Sequence, residues 1–302
     1  MDIIAETSEF YIEKETAVAI GKFDGIHLGH RRLMDEILAL KERGLTACVF
    51  TFDPPPSVLF GGDNVMLSTR DEKRRMFEAM GIDILVEFPM NKETAATPPE
   101  RFISDYLVKQ MNTKYIVAGT DISFGDKGMG NAQLLEKLAD RYGYKVKLID
   151  KVTISGGEEI SSSLVRRCVE SGDMEKVKEL LGSDYCVSGE IVHGNALGHT
   201  LGFPTINIYP DENKQLPPNG VYTSVCFIEG KWYNSVSNVG RKPTVGGEVR
   251  TGVESYLYDF DGDLYGKFAN IYLEKFCRPE QKFANIDALK AQLQLDIAYS
   301  KR

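Results

Sequence analysis

Hydrophobic positions in the first half of the chain follow two alternating periods. Short, nearly continuous apolar runs predict buried strands, and apolar residues three or four positions apart predict amphipathic helices between them. The predicted strands are Ala17–Phe23, Leu45–Phe52, Ile82–Phe88, Tyr115–Gly119 and Lys145–Asp150. The predicted helices are Arg31–Arg43, Arg70–Met80, Pro99–Gln110 and Ala132–Tyr142. Strands that alternate with helices indicate crossover connections, and hence a doubly wound parallel sheet.

The third of these helices begins with the sequence T-P-P-E. Thr97 is expected to cap the helix, Pro98 suits its first turn, and Glu100 is expected to complete a capping box. Two further helices are predicted after this half, one leading out of Ile160–Arg167 and one at Met174–Leu181.

Near residue 183 the pattern changes to short β-rich runs separated by turns, with no helical pattern between them. The runs are Tyr185–Val192, Thr205–Ile208, Gly220–Glu229, Lys231–Val239, Glu248–Asp259 and Asn270–Phe276. A last helix is predicted at Ile286–Ala298. Strands at this spacing predict an antiparallel barrel. We therefore expect two domains, residues 1–183 and residues 184–302.

Composition excludes several classes of protein. A formal net charge of −8 argues against nucleic-acid or anionic-membrane partners, although it leaves room for a small nucleotide. No apolar run approaches the roughly twenty residues of a membrane span, and the acidic N-terminus lacks the features of a signal peptide. The five cysteines are scattered without a C-x-x-C pair, as in a protein of the reducing cytoplasm.

The stretch Ala19–His30, A-I-G-K-F-D-G-I-H-L-G-H, joins the first strand to the first helix. His27 and His30 are three residues apart, so both are expected on one face of a helix start. Gly25 and Gly29 allow another group to approach the backbone. Amide N–H groups, the helix dipole and two imidazoles together predict a phosphate site. The alternative is a tight turn in which the histidines only cap or pack.

Two other motifs follow predicted strands, at the edge where parallel sheets bind ligands. Thr51–Pro56, T-F-D-P-P-P, predicts a stiff extended loop. Ala118–Gly125, A-G-T-D-I-S-F-G, offers Asp121 as a ligand for a ribose, a base edge or a metal, or alternatively as the first residue of an Asx turn. No G-x-x-x-x-G-K-[ST] sequence occurs, which excludes a P-loop.

Ile160–Arg167, I-S-S-S-L-V-R-R, predicts a helix start rich in hydroxyl groups. Ser162 and Ser163, with Arg166 one turn later, form a possible clamp for a second phosphate. The alternative is a set of serines that only cap the helix.

The C-terminal half opens with the glycine-rich stretch His193–Ile208, H-G-N-A-L-G-H-T-L-G-F-P-T-I-N-I. Thr205 and Asn207 are two apart and therefore face the same side of a strand. Their oxygens are hard ligands suited to Mg²⁺, which commonly also binds substrate phosphates. A glycine-rich hairpin with a polar strand face is the alternative for these residues taken alone.

The motifs of the first half resemble those of the nucleotidyltransferase superfamily, in the version found in FMN adenylyltransferases. H-x-G-H, F-x-P-H-P, G-x-D-F-x-F-G and S-S-[ST]-x-[IV]-R each have a counterpart. Four residues depart from these patterns: Lys22 stands where Asn is usual, Pro55 where His is common, Ile122 in place of an aromatic residue, and Ser123 in place of a frequent Arg. The resemblance implies a Rossmann-like domain that transfers a nucleotidyl group. It assigns ATP binding to Gly21, Phe23, Asp24, Gly29, Asp121, Ser162 and Ser163. It assigns stabilisation of charge on the transferring phosphates to His27, His30 and Arg166.

The second half resembles riboflavin kinase over essentially all of Tyr185–Ile297. The counterparts are the glycine-rich loop with F-P-T-I-N, then P-P-N-G-V-Y, S-N-V-G-R-K-P-T, E-S-Y-L-Y-D-F and L-Y-G, with His199 where Arg or Lys is usual. The resemblance implies a six-stranded barrel in which Glu254 is the general base. It places Mg²⁺ at Thr205 and Asn207, ATP at the amides of Gly194, Gly198 and Gly202, and the flavin beside Tyr222 and Arg278.

The whole chain thus resembles the bifunctional bacterial riboflavin kinase/FMN adenylyltransferase (FAD synthetase) family. That resemblance implies a cytoplasmic enzyme, a monomer or weak homo-oligomer, acting on riboflavin, FMN and ATP with Mg²⁺ and forming FMN and FAD. Two alternatives keep part of this function: a kinase with a weak or altered adenylyltransferase half, and a non-catalytic flavin-binding regulator. An aminoacyl-tRNA synthetase relative also has an H-x-G-H motif, but the acidic charge and the all-β second half disfavour it.

Overall fold

The computed structural model describes residues 1–302 except residues 60, 63, 155, 194–204, 244–248, 282 and 301–302. The described residues form two units. One consists of Met1–Val65 and Arg70–Ser161, and the other of Met66–Thr69 and Ser162–Arg302. The short segment Met66–Thr69 thus groups with the C-terminal half, although the chain on both sides of it belongs to the first unit.

The first unit is built on a parallel sheet. The strands of this unit are β1 (Asp2–Ala5), β2 (Thr16–Ile20), β3 (Thr46–Asp53), β4 (Ile84–Pro89), β5 (Thr113–Gly119), β6 (Ser123–Phe124), β7 (Gly130–Asn131) and β8 (Lys145–Ile149). Six of them form one sheet in the order β1–β4–β3–β2–β5–β8, and every neighbouring pair is parallel. This confirms the predicted doubly wound sheet. The chain passes from β2 to β3 on one side and returns to β5 on the other, so the carboxyl ends of β2 and β5 border the crevice where such sheets bind ligands.

Helices cover both faces of this sheet. They are α1 (Leu28–Ala39), α2 (Pro56–Leu59), α3 (Arg70–Met80), α4 (Lys92–Ala95), α5 (Pro99–Arg101), which continues as a π-helical stretch at Phe102–Gln110, and α6 (Ala132–Tyr142). Alternate residues of β2 enter two different cores. Ala19 packs in the core that contains Ile37 of α1, and Ile20 packs in the core that contains Leu107 and Leu135. A sheet buried on both faces explains the nearly continuous apolar runs of its strands.

The predicted capping box at T-P-P-E is wrong. The N-cap of α5 is Pro98, which makes no side-chain capping hydrogen bond. The Glu100 carboxylate is engaged elsewhere, because it accepts hydrogen bonds from Arg141 Nη1 (2.6 Å) and Tyr142 Oη (2.8 Å) at the end of α6. A charge-assisted bond to a guanidinium is stronger than a bond to a backbone amide, so the tertiary contact replaces the local one.

The proline-rich stretch Thr51–Pro56 also differs from the expected extended loop. Parallel pairing with β4 continues to the match between Asp53 and Pro89, so β3 includes the first three residues of the stretch. Helix α2 begins at Pro56, a residue type that suits the first turn because its missing N–H needs no partner there. Only Pro54 and Pro55 connect the two elements.

The second unit contains a closed antiparallel barrel. Its helices are α7 (Ser162–Ser171), α8 (Met174–Leu181) and α9 (Ile286–Ser300), and its strands are β9 (Tyr185–Val192), β10 (Thr205–Ile208), β11 (Gly220–Ile228), β12 (Lys231–Pro243), β13 (Val249–Leu257) and β14 (Phe268–Pro279). The barrel order is β10–β13–β12–β11–β14–β9, closed by pairing of β9 with β10. The predicted six-stranded barrel and its terminal helix are confirmed.

A row of serine hydroxyls is buried inside this barrel. Ser224 Oγ lies 2.7 Å from Oγ of both Ser235 and Ser237, and Ser237 Oγ lies 2.6 Å from Ser255 Oγ. The hydroxyls satisfy one another, as buried polar groups must. Because neighbouring residues on a strand point to opposite faces, Glu254 faces away from this row.

Within the described part of the chain, no helix has both the length and the apolar character that crossing a bilayer requires.

Candidate functional site

The connection between β2 and α1 carries the candidate nucleotide site of the first unit. Its backbone turns sharply, with positive φ at Phe23 (48°), Gly25 (83°) and Ile26 (40°). Non-glycine residues with such angles cost on the order of 1–3 kcal/mol and gather at ligand sites. The turn ends at His27, the N-cap of α1, so the first amides of the helix open at the carboxyl end of β2.

The two histidines of the connection are stacked. Their ring centroids are 3.7 Å apart and their planes differ by 17°. The backbone N–H of His30 donates to Nδ1 of His27 (3.4 Å), which caps the helix. Since Nδ1 of His27 accepts a hydrogen bond, the proton of the neutral ring is on Nε2. The three-residue spacing places both rings on one face of the helix start, as predicted.

Burial keeps both imidazoles neutral in the free protein. It lowers the pKa of His27 from 6.5 to about 4, against the opposing effect of the Asp121 carboxylate. Burial, and then the neighbouring His27, hold the pKa of His30 well below 6.5. The pair therefore offers N–H donors rather than fixed positive charges at neutral pH, and the charge of a bound phosphate would raise both pKa values.

Small and aromatic residues around the pair set the positions of the rings. A Cβ atom at Gly29 would lie 3.1 Å from Cε1 and Nδ1 of His27, and one at Gly21 would lie 2.9 Å from the Phe23 ring. Phe23 is fully buried and packs edge-on against His30, with centroids 5.2 Å apart. Direct binding of ATP by these residues and by Asp24 stays a prediction.

Asp121 lies at the other side of the predicted crevice, just after β5. Its side chain is 67% exposed, and Lys151 Nζ lies 3.8 Å from Oδ2. The Asp121 carboxylate acts to raise the pKa of His27. The residues that follow β5 therefore lie near the histidine pair that follows β2. Its role as a ligand stays a prediction.

Lys73 of α3 was not singled out by the sequence, yet it belongs to the same end of the sheet. The residue is 5% exposed. Burial lowers its pKa, while the carboxylates of Asp24, Asp53 and Glu87 oppose that change. The polar pattern of α3 predicts that Lys73 is exposed. The neighbouring sequence therefore gives no indication that this lysine is buried.

The serine-rich motif begins α7 in the second unit, at Ser162. Ser163 is exposed and Arg166 is half-buried. Arg166 Nη1 donates to Oε1 of Gln215 (3.3 Å), a residue of the same unit. The helix start is confirmed, and the clamp for a phosphate stays a prediction.

The candidate kinase site is on the outer face of the barrel. Thr205 Oγ1 donates to Glu254 Oε1 over 2.7 Å. Asn207 is paired in register with Glu254 across β10 and β13, and it is buried. One hydroxyl, one amide and one carboxylate thus share a face, an oxygen-rich set that suits a hard cation such as Mg²⁺. Among the described residues, no group of three or more His, Cys, Asp or Glu side chains is gathered to hold a metal.

Asn238 extends this polar row to a third strand, β12, where it pairs in register with Glu254. Its Nδ2 donates to Glu280 Oε1 (3.4 Å), while its Oδ1 is buried without a hydrogen-bond partner among the described residues. The motif S-N-V-G-R-K-P-T contained this residue, but only strand register shows that it is beside Glu254.

The two predicted flavin-binding residues, Tyr222 and Arg278, each form polar contacts within the protein. Tyr222 is fully buried and its hydroxyl donates to the Pro218 carbonyl (2.6 Å). Burial raises its pKa above the ordinary range. Arg278 forms a bidentate ion pair with Asp296 of α9, at 2.9 and 2.6 Å. Flavin binding by these two residues stays a prediction. Gly194, Gly198, His199 and Gly202 lie outside the described residues.

Comparisons with known proteins cover both halves. The family described as FAD synthetase matches residues 10–164, and the family described as riboflavin kinase matches residues 181–302. A bifunctional riboflavin kinase/FMN adenylyltransferase of Escherichia coli strain K12 is 36% identical, covering 92% of this chain and 90% of the relative. The enzyme of the same name from Listeria monocytogenes is 33% identical, covering 96% and 93%. That from Bacillus subtilis is 33% identical, covering 94% and 91%.

A solved structure shows the same fold across nearly the whole chain. It is described as a macrolide-efflux protein from Streptococcus pneumoniae, with a TM-score of 0.87, 28% identity, and coverage of 99% of this chain and 98% of that one.

A doubly wound sheet with a histidine pair at its switch point, followed by a barrel with a Thr–Asn–Glu face, defines a two-domain transferase of phosphorus-containing groups. The identities above extend over almost the full length of the relatives. The chain belongs to the family of bifunctional riboflavin kinase/FMN adenylyltransferases.

Proposed function

We propose that the chain performs two successive ATP-dependent reactions. The C-terminal half phosphorylates riboflavin to FMN, and the N-terminal half transfers AMP from ATP to FMN, which gives FAD and pyrophosphate. The observation that carries this proposal is that one chain contains two preorganised polar sites. These are the stacked pair His27 and His30, and the hydrogen bond between Thr205 and Glu254. The names of the relatives support it, because they combine the same two activities.

In the kinase reaction, the 5′-hydroxyl of the ribityl chain attacks the γ-phosphorus of ATP, and ADP leaves. Glu254 accepts the hydroxyl proton, the task of a carboxylate within hydrogen-bond reach of the nucleophile. Its bond to Thr205 orients the carboxylate before substrate arrives. The remaining work is positioning and charge neutralisation. The glycine-rich loop with Gly194, Gly198 and Gly202 supplies backbone amides in place of a P-loop.

Thr205 and Asn207 would hold Mg²⁺ through their side-chain oxygens. The ion would neutralise charge on the ATP phosphates, which supply its other ligands together with water. The register pairing of Asn207 with Glu254 supports this assignment, since it brings the amide and the carboxylate to the same level of the barrel.

In the adenylyl transfer, an oxygen of the FMN phosphate attacks the α-phosphorus of ATP, and the bond to the pyrophosphate oxygen breaks. No general base is needed because the nucleophile is already an anion. His27, His30 and Arg166 donate hydrogen bonds to the phosphates as charge redistributes among them. Neutral imidazoles suit this role because they bind an anion without first losing solvation as cations.

The two activities divide at residue 183, with support from the second family's start at residue 181, whereas the main segment of the second compact unit begins earlier, at Ser162. We also propose a cytoplasmic enzyme that is a monomer or weak homo-oligomer and has no nucleic-acid or membrane partner. The net charge of −8 supports the last point.

A chromatographic time course with riboflavin, ATP and Mg²⁺ tests the two reactions. The wild type is expected to form FMN and then FAD. Glu254→Gln should form FMN at least a hundredfold more slowly yet convert supplied FMN to FAD, since a general base contributes about that much. His27→Ala should accumulate FMN. Glu229→Gln, a surface carboxylate paired with Lys267, is the matched control and should retain both steps. Absence of FMN with the wild type overturns the proposal.

A further inference from the structure

Gln215, in the connection between β10 and β11, directs its whole side-chain amide at α7. Its Oε1 accepts from Arg166 Nη1 (3.3 Å). Its Nε2 donates to the backbone carbonyl of Arg166 (3.0 Å) and to Glu170 Oε1 (3.4 Å). The residue is only 6% exposed. A single amide therefore contacts both the guanidinium of Arg166 and the backbone from which that side chain extends.

The backbone of Gln215 is itself fixed on both sides. Its N–H donates to the Met66 carbonyl (2.8 Å). Its carbonyl lies 2.8 Å from the hydroxyl of Tyr185, the buried first residue of β9. The neighbouring Lys214 donates to the Leu67 carbonyl (2.7 Å). These bonds anchor the backbone of Gln215 to β9 and to the segment Met66–Thr69, so its side chain is a rigid reference point for α7.

We propose that Gln215 is a positioning residue for adenylyl transfer, because it holds the Arg166 guanidinium in the orientation that meets the phosphates. This inference rests on the proposed function, in which Arg166 acts on the phosphates of that reaction. Gln215 lies in the half that matches the riboflavin kinase family, residues 181–302. A residue of the kinase half thereby serves the reaction of the other half.

The chemistry of an amide suits this task. An arginine side chain has many rotamers, and holding one edge of the guanidinium removes much of that freedom before the ligand binds. The guanidinium has five N–H donors, and the bond to Gln215 uses only one of them. Gln215 is also neutral, so its contact offsets none of the positive charge of Arg166, whereas a carboxylate in the same place would offset part of it.

The test compares the two activities of the full-length chain in Gln215→Leu, Arg166→Ala and the double variant. Gln215→Leu removes all three side-chain hydrogen bonds at similar volume. It should slow conversion of FMN to FAD on the order of tenfold to a hundredfold, the range expected for a displaced catalytic group. Phosphorylation of riboflavin by the same preparation should stay within about twofold of the wild type, which also shows that the barrel is folded. Gln215→Met, measured in parallel, should behave in the same way.

The double variant separates positioning from general damage. If Gln215 acts through Arg166, then adding Gln215→Leu to Arg166→Ala should cause no further loss of FAD formation. An equal loss of both activities, a multiplicative loss in the double variant, or unchanged FAD formation in Gln215→Leu each overturns the inference. Failure of the proposed function looks different, since the wild type itself would then form no FAD from FMN, or Arg166→Ala would form it at the normal rate.

Discussion

Acidification from pH 7 to pH 5 should destabilise the first unit through His27. The ring is 7% exposed, and burial lowers its pKa to about 4 in the native protein, whereas an unfolded chain has the ordinary value of 6.5. The unfolded state therefore binds more protons between these two values, and stability falls as the pH decreases through that window. The depressed pKa of His30 acts in the same direction.

The size of the effect follows from the two pKa values of His27. At pH 7 both states are mostly neutral, so the histidine contributes little. At pH 5 the unfolded ring is almost fully protonated while the native ring is mostly neutral. The difference costs about 2 kcal/mol of unfolding free energy at pH 5. Most carboxylates titrate below pH 5, so a change in stability between pH 7 and pH 5 comes mainly from histidines.

His27→Asn is the matched variant, because asparagine retains an N-cap acceptor for the His30 N–H but does not titrate. Native-state hydrogen exchange of α1 would be compared between wild type and variant at each pH, so that intrinsic exchange rates cancel. The wild type should lose about 2 kcal/mol relative to the variant on going from pH 7 to pH 5. Histidine NMR should show no titration of His27 above pH 5.5. A midpoint near 6.5, or an unchanged gap between the proteins, refutes the reasoning.

Two further predictions concern other contacts. Gly29→Ala places a methyl group 3.1 Å from the His27 ring, so FAD formation should fall on the order of tenfold while riboflavin phosphorylation is unchanged; normal FAD formation would show that the ring adapts. Asp296→Ala removes the bidentate partner of Arg278. The Arg278 side chain is only 19% exposed, so its charge would be left partly buried without this carboxylate. It should destabilise the barrel by about 3 kcal/mol in urea titrations followed by Trp232 fluorescence, and a change below 0.5 kcal/mol would contradict this.

Much of the fold could be predicted because its signals are local. The two hydrophobic periods identify a strand and a helix from neighbouring residues alone, and they predicted β2 to β5, β8 and the barrel strands. Strand β1, Asp2–Ala5, is too short for any period to show. The segment Met66–Thr69 also escaped prediction, because its place depends on pairing of Met66 with Lys214, which is far away in the sequence. Pairings of this kind have no signature in either segment.

In the candidate sites too, features set by the local chain could be predicted, and features set by tertiary structure could not. The spacing of His27 and His30 predicts that they share a face, since helix geometry is a property of the local chain. Their lowered pKa values are set by burial, which depends on the whole domain. Lys73, Asn238 and Gln215 were missed because each is an ordinary polar residue until its surroundings are known. Register across β12 and β13 identifies Asn238, and a loop-to-helix contact identifies Gln215.

The main polar groups of both sites are already paired within the protein. His27 caps α1 through Nδ1, Thr205 donates to Glu254, and Arg166 is held by Gln215. Each bond uses one atom of the group and fixes its orientation. Such pairing lowers the entropy that a ligand must remove and adds no charge that must be desolvated. Substitution of a partner should therefore slow the reaction that its neighbour serves, even where the partner never contacts ATP.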